Sequence, residues 1–579
     1  MLMRQCFLWL LPLALMAQLT PDQRESDFRN MAASLAKFYA PLGWKMQALG
    51  VDALSISGYL RRAREASSDL HFHEICAEYI ASLQDGHTSY SLPSTFAADL
   101  GIRVDLYEGK PLLYQVSATR YPVAQFPALI RGAELVSIDG EPAMTLIERL
   151  ARQQAWGFPR GQMRYAALGV GARRQSQYAR TVDLPDESVV VVRSVDGVET
   201  SYMLKWLKSG EPFRQVGLPL TPRRPQRSAP AGLPDLSVQV SLQPDSAKVD
   251  FLRDAFAGPE WTVAGFGARN PYFDLPAGFV LRRGRLASDN FYSGTYLANG
   301  LRIGYLRIPN FGPASTNAAL AEMDQEIAFF QANTDGLVVD VSRNNGGSAN
   351  LALDYMRRFM DKPFFYPAFS LAVRQDRLNN YANIADVLGQ IGAQRWVVDR
   401  WNYATQAMRD AAQAGSGALT GPVPIIVPTG VSLLDWGPLL DDNFPLMDGS
   451  GASLAYRKPM IVLADDFSVS GGDLFPSLFQ DNDRAPVVGY RTGGLGATVL
   501  SISSAMPYSE GRFNYSEGLM IRKRAIATPE YPTAPLIENI GVRPNVEADF
   551  QTRDNLMKNG QPFVEAFTSA IVEEIRRRN

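Results

Sequence analysis

The spacing of apolar positions changes along this chain, and each change marks a boundary. Across 20–98 apolar residues recur every three to four positions, over 28–39, 56–65 and 72–82, which predicts a mainly helical N-terminal region. Across 99–208 the pattern shifts to strand-like alternation broken by turns, as at 135–138, where a short strand enters Asp139-Gly140 and is followed by a helix through Leu146 and Leu150. The stretch 209–295 has no sustained period; its Pro/Arg-rich part, 222–234, predicts a loop or exposed arm with scattered strands after it. From 296 to 579 strands and helices alternate, opening with a cleanly alternating strand at 301–308 and continuing through the apolar runs Gly336–Asp340, Met460–Ala464 and 487–490. That order predicts an α/β core at 296–579.

Two junctions in this core carry candidate chemistry. Ser470 stands where the Met460–Ala464 strand gives way to a helix at 474–479, followed by Gly471 and Gly472. A hydroxyl at a helix N-terminus meets unpaired N–H groups and the positive end of the dipole. The glycines let those donors approach a substrate oxygen, so an acyl-transfer nucleophile beside an oxyanion hole fits. Taken alone, the segment also fits an N-cap serine. The second junction is Asn344-Asn345-Gly346-Gly347, which ends a strand and opens a helix near Asn350. It fits a tight turn; without Gly-Lys-Ser/Thr or Gly-x-Gly-x-x-Gly beside it, a nucleotide site is not expected.

Composition narrows the class. A chain of 579 residues implies about three or four domains. A net charge of −2 leaves no basic excess to neutralise phosphates, so no nucleic-acid partner is expected. Arg4, the apolar run 6–15 and Ala17 read as an export signal over 1–17, too short to span a bilayer. Export to the periplasm or the extracellular space follows, with no stable membrane anchor once the signal is removed. Signal removal also leaves Cys76 without Cys6, so no internal disulfide is expected.

The stretch 130–142 resembles the PDZ fold, whose strand–helix groove captures an extended peptide by strand addition. This resemblance makes 99–208 a PDZ-like domain and Leu100-Gly101-Ile102 its carboxylate-binding loop.

Four separated segments together resemble the S41 serine peptidases, the family of tail-specific (C-terminal processing) proteases and their tricorn-like relatives. They are Leu83-Gln-Asp-Gly-His-Thr88, Asp340-Val-Ser-Arg-Asn-Asn-Gly-Gly347, Ser468-Val-Ser-Gly-Gly-Asp473 and Ile537-Glu-Asn-Ile-Gly-Val-Arg-Pro544. The resemblance implies a ClpP/crotonase-like catalytic core, with Ser470 as nucleophile and Ser468 as its neighbour. The Ser–Lys branch places a lysine where this chain has Leu495, and a leucine cannot accept a proton. The resemblance is therefore closer to the tricorn-like branch, which implies His87 as general base and Glu538 as its orienting group. In the tricorn proteases a serine precedes that histidine. Gly86 stands there here, so the relay is either direct or through Thr88. Gly471 with Gly346 or Gly347 is the implied oxyanion hole.

The expectation is an exported serine peptidase acting on peptide or unfolded protein, with no cofactor and no metal. Two rivals stay open: an inert scaffold of the same fold that binds peptide or lipid, and an esterase on the same site. His71 and His73 are expected to be surface or interface groups, and Lys458 a strand-capping lysine or a substitute base. No oligomeric state is specified.

Overall fold

The computed structural model describes residues 18–50, 52–213, 241–242, 266–393, 395–415, 419–424 and 446–578. The expected signal at 1–17 and most of 209–295 lie outside the described residues.

The N-terminal region forms helices Pro21–Phe38, Leu42–Leu49, Ser57–Arg64 and Asp69–Ala81. Thr20 and Ser68 cap the first and last of these by accepting backbone N–H groups. Phe28, Met31, Leu35, Phe72, Ile75 and Tyr79 bury the shared faces. Two features differ from expectation. The helix Leu42–Leu49 was not anticipated, because its eight residues hold only a weak repeat. His73 is not at a surface: it is buried, with Nδ1 2.5 Å from the Tyr90 hydroxyl, and burial pushes it down to about 3. Cys76 is a buried free thiol.

Residues 102–205 hold an antiparallel sheet in the order Ile102–Tyr107, Lys110–Val116, Glu134–Ile138, Glu187–Arg193, Glu199–Lys205. Asp139 and Gly140 both have positive φ (51° and 80°), the backbone that a two-residue hairpin demands. Helices Ala143–Ala151 and Pro159–Gly171 cover one face. The second helix anchors this module to the core: Arg164, fully buried, pairs with Asp105 of the module and Asp466 of the core.

The core sheet runs Val280–Arg283, Tyr292–Ala298, Leu301–Arg307, Gly336–Asp340, Met460–Ala464, Val487–Gly489, Val546–Glu547. It is antiparallel as far as Leu301–Arg307 and parallel from there on. Strands buried on both faces read as continuous apolar runs, which is why Met460–Ala464 was legible. Val339 and Val462 face the cluster built from Met323, Phe330, Phe475 and Phe479, while Val338, Ile461 and Leu463 face Phe567, Ile571 and Ile575 of the C-terminal helix. The strand at 301–308 does not alternate as expected: it is buried throughout from Ile303, because it is interior to the sheet. The fold is mixed α/β, with a helical N-terminal region and a β-rich module ahead of the core.

A second sheet brings the chain ends together. Its longest strand, Arg512–Ile526, pairs with Ala497–Ala505, Ala368–Leu371, Ala534–Leu536 and, from the front of the chain, Ser89–Ser91. The register Ser89↔Asn514 carries the 83–88 turn into the core.

Candidate active site

Ser470 begins the helix Gly471–Asp481 with φ 62° and ψ −112°, a conformation an L-residue adopts only under strain. Such a strand-to-helix elbow lifts a hydroxyl clear of its own backbone. Ser470 is fully buried, and its Oγ has no hydrogen-bond partner among the described residues. Ser468 is different, because its hydroxyl donates to the Val341 carbonyl at 2.8 Å and accepts from Asp465 N–H at 3.0 Å.

Asp473 holds the elbow. Its Oδ2 accepts the Ser470 N–H at 2.7 Å and the Leu495 N–H at 3.1 Å, and its Oδ1 accepts the Gly494 N–H at 2.9 Å and the Thr492 hydroxyl. Burial pushes this carboxyl up to about 6 against those four donors. Its spacing of three from Ser470 is that of a capping box, a signal open to sequence reading but unused.

The glycine turn meets the elbow. A Cβ on Gly471 would lie 3.2 Å from the Gly347 nitrogen, so the first amide of the helix and the turn are adjacent. Of the two glycines, Gly346 has already given its N–H to Asn344 Oδ1 at 2.8 Å. Gly347 has φ 133°, and a Cβ there would strike the Phe311 carbonyl, so only glycine fits. An extended segment, Ser241–Leu242, lies antiparallel along Gly347 and Ser348.

His87 is buried within the 85–88 turn, with its backbone N–H on Asp85 Oδ1 at 2.8 Å. Burial acts to raise the Asp85 carboxyl, but Lys45 and His87 beside it outweigh that and hold it below the aspartate range. The turn reaches the elbow through Leu495: a Cβ on Gly86 would fall 2.7 Å from Leu495 Cγ, and the Leu495 N–H is bound to Asp473, which binds Ser470. The two positions at which the resemblance breaks, glycine at 86 and leucine at 495, therefore share one space. The Thr88 hydroxyl donates to Asp85 Oδ2 at 2.8 Å, so it is committed away from a relay to Glu538.

Glu538 is fully buried. Its Oε2 accepts the Gly496 N–H at 2.9 Å and its Oε1 is paired with Lys45. Burial pushes Glu538 up to about 8, with Lys45 acting in the opposite direction. Lys45 was missed because a single lysine on a short helix carries no motif. It also disposes of a lysine base: its three donors go to Glu538, the Gln84 carbonyl at 2.8 Å and Asn539 Oδ1 at 2.7 Å, leaving an ammonium with no lone pair to accept a proton. Lys458 donates to the Thr334 carbonyl at the far end of its strand.

Two donors of the predicted carboxylate-binding loop, at Leu100 and Gly101, are already spent. Leu100 N–H binds the Gly171 carbonyl at 2.8 Å and Gly101 N–H binds Asp99 Oδ1 at 2.6 Å. Between module and core lies a cavity of about 360 Å³ whose lining includes Tyr107, Tyr114, Arg131, Tyr272 and Arg343.

A protein of Chlamydia trachomatis serovar D is 23% identical over 98% of this chain and 97% of its own length. One from Chlamydia pneumoniae is 22% identical over 96% and 91%. The structure of mature CPAF complexed with lactacystin superposes with a TM-score of 0.72 at 19% identity, covering 96% of this chain and 99% of that one, and so shares the fold. Residues 302–548 match the sequence profile of peptidase family S41. Residues 302–548 are thus a peptidase family S41 domain, which makes this chain a serine-type peptidase.

Proposed function

We propose that this chain is an exported endopeptidase in which Ser470 attacks the scissile carbonyl, His87 takes the hydroxyl proton and Glu538 is the carboxylate of the relay. The observation that carries the reading is the strained Ser470 elbow, its hydroxyl unspent, set against the adjoining amides of Gly471 and Gly347. In the first step the Oγ–carbon bond forms, the proton passes to the imidazole, and the two amides hold the oxyanion. The imidazolium then gives its proton to the departing amine as the C–N bond breaks, and water, deprotonated by the same imidazole, releases the acyl group. Each oxyanion donor is worth about 3 kcal/mol in the barrier. Ser241–Leu242 beside Gly347 supports an extended, strand-like substrate at that edge, and the module fits the role of a PDZ-like holder of the peptide, with the seam cavity rather than the 100–102 loop as its pocket. Lactacystin, with which CPAF was crystallised, is a candidate ligand for the Ser470 cleft. Export rests on the basic, apolar and small-residue order of 1–17.

The test is covalent labelling with a fluorophosphonate alongside hydrolysis of unfolded casein. The intact chain should do both, and Ser470→Ala and His87→Ala should do neither while keeping the circular dichroism of the parent. Full activity in either variant removes the assignment. Matched peptide and ester substrates separate a peptidase from an esterase, and a folded chain that does not label is the inert scaffold.

A further inference from the structure

We propose that Lys45 is a positioning residue of the hydrolytic site: its ammonium clamps the turn that carries His87 to the turn that carries Glu538. This inference rests on the Ser470–His87–Glu538 reading.

The clamp is visible in where the three donors go. One bond reaches the Gln84 carbonyl, in the turn three residues before His87; the other two reach Glu538 and the Asn539 side chain. Both turns are held in positive-φ conformations at non-glycine residues, Gln84 at 47° and Asn539 at 62°, so each needs outside contacts to persist. Asn539 completes the lock: its Nδ2 donates to the Gln84 carbonyl at 3.0 Å and to the Gly157 carbonyl at 2.7 Å, and Trp44, beside Lys45, donates to its Oδ1 at 3.0 Å. Lys45 is 1% exposed and Glu538 0%, so neither charge is answered by water.

The clamp also sets the charge of Glu538. The ionisable groups around Glu538 are Lys45, Asp85 and Tyr39, with His87 beside Asp85 and Arg491 bonded to the Asn539 carbonyl behind them. Burial and Asp85 favour the protonated acid, and Lys45 is the cation bonded directly to the carboxylate. A protonated Glu538 cannot stabilise an imidazolium. Activity that depends on the carboxylate must therefore rise with pH, and removal of Lys45 must move that rise to higher pH.

The experiment measures the rate of fluorophosphonate labelling of the full chain from about pH 6 to about pH 10, which reads activation of Ser470 without knowledge of the substrate. Lys45→Met should slow labelling on the order of 10- to 100-fold at neutral pH and shift the acid limb alkaline, and Lys45→Arg should restore the limb. An unshifted limb in Lys45→Met, whether at the parent rate or uniformly slowed, overturns the proposal, since a purely structural lysine would leave the pH dependence alone. If Lys45→Met does not fold, Lys45→Gln is read the same way, keeping a donor for Gln84 without the charge. Glu538→Gln and His87→Ala are measured in parallel. Parent-like labelling in those two sinks the relay itself, whereas their loss of labelling beside an unshifted lysine variant sinks the clamp alone.

Discussion

Replacing Gly86 by serine, the residue that precedes the histidine in the tricorn-like branch, tests whether the two family departures are one structural change. A Cβ at this position would lie 2.7 Å from Leu495 Cγ and 3.1 Å from Cδ1, well inside contact distance. Leu495 cannot swing aside cheaply. It is 1% exposed, its cluster includes Phe467 and Val469, and its N–H is held by Asp473. Overpacking of this kind costs about 1–3 kcal/mol. Leu495→Ala leaves a void instead, at about 2–5 kcal/mol. In the double variant the serine side chain enters the void, so the combined cost should fall below the sum by at least about 1 kcal/mol. Urea unfolding followed by tryptophan fluorescence reads all four corners of the cycle, because Trp156 packs edge-on against Phe467 in the same cluster. Costs that add to within about 0.5 kcal/mol would show that the two positions do not compete for space, and the explanation of the paired departures would fail.

Ser470→Gly should stabilise the fold by about 1 kcal/mol relative to Ser470→Ala, because glycine accepts the φ 62° elbow without the strain that alanine carries there. Equal urea midpoints would mean the elbow stores no strain. Arg164→Met should cost about 3–5 kcal/mol, since it strands the buried carboxylates of Asp105 and Asp466. A loss under about 1 kcal/mol in the same assay would refute the clamp between module and core.

What could be read from sequence was what is local. The Met460–Ala464 strand, the elbow at Ser470 and the glycine turn at 346–347 are decided by neighbours within a few residues, and strands buried on both faces announce themselves as apolar runs. What could not be read was the partner of a distant group. Glu538 meets Lys45 across 493 positions, and no composition or period near either residue marks that pairing. The same limit explains His73, whose burial depends on Tyr90 and the docking of helices rather than on its own segment. The glycine turn shows a related limit: only coordinates show that the Gly346 N–H is already committed to Asn344.

The placement of the 83–88 turn by the Ser89–Ser91 strand has a consequence for when this protein can act. In the proposed triad the imidazole of His87 is made long before the Ser470 hydroxyl and the Glu538 carboxylate, so a nascent or truncated polypeptide would hold only part of that machinery. Cutting power would then arrive only after the last strands have closed on the first helices, which ties the danger of the enzyme to the completeness of its own folding.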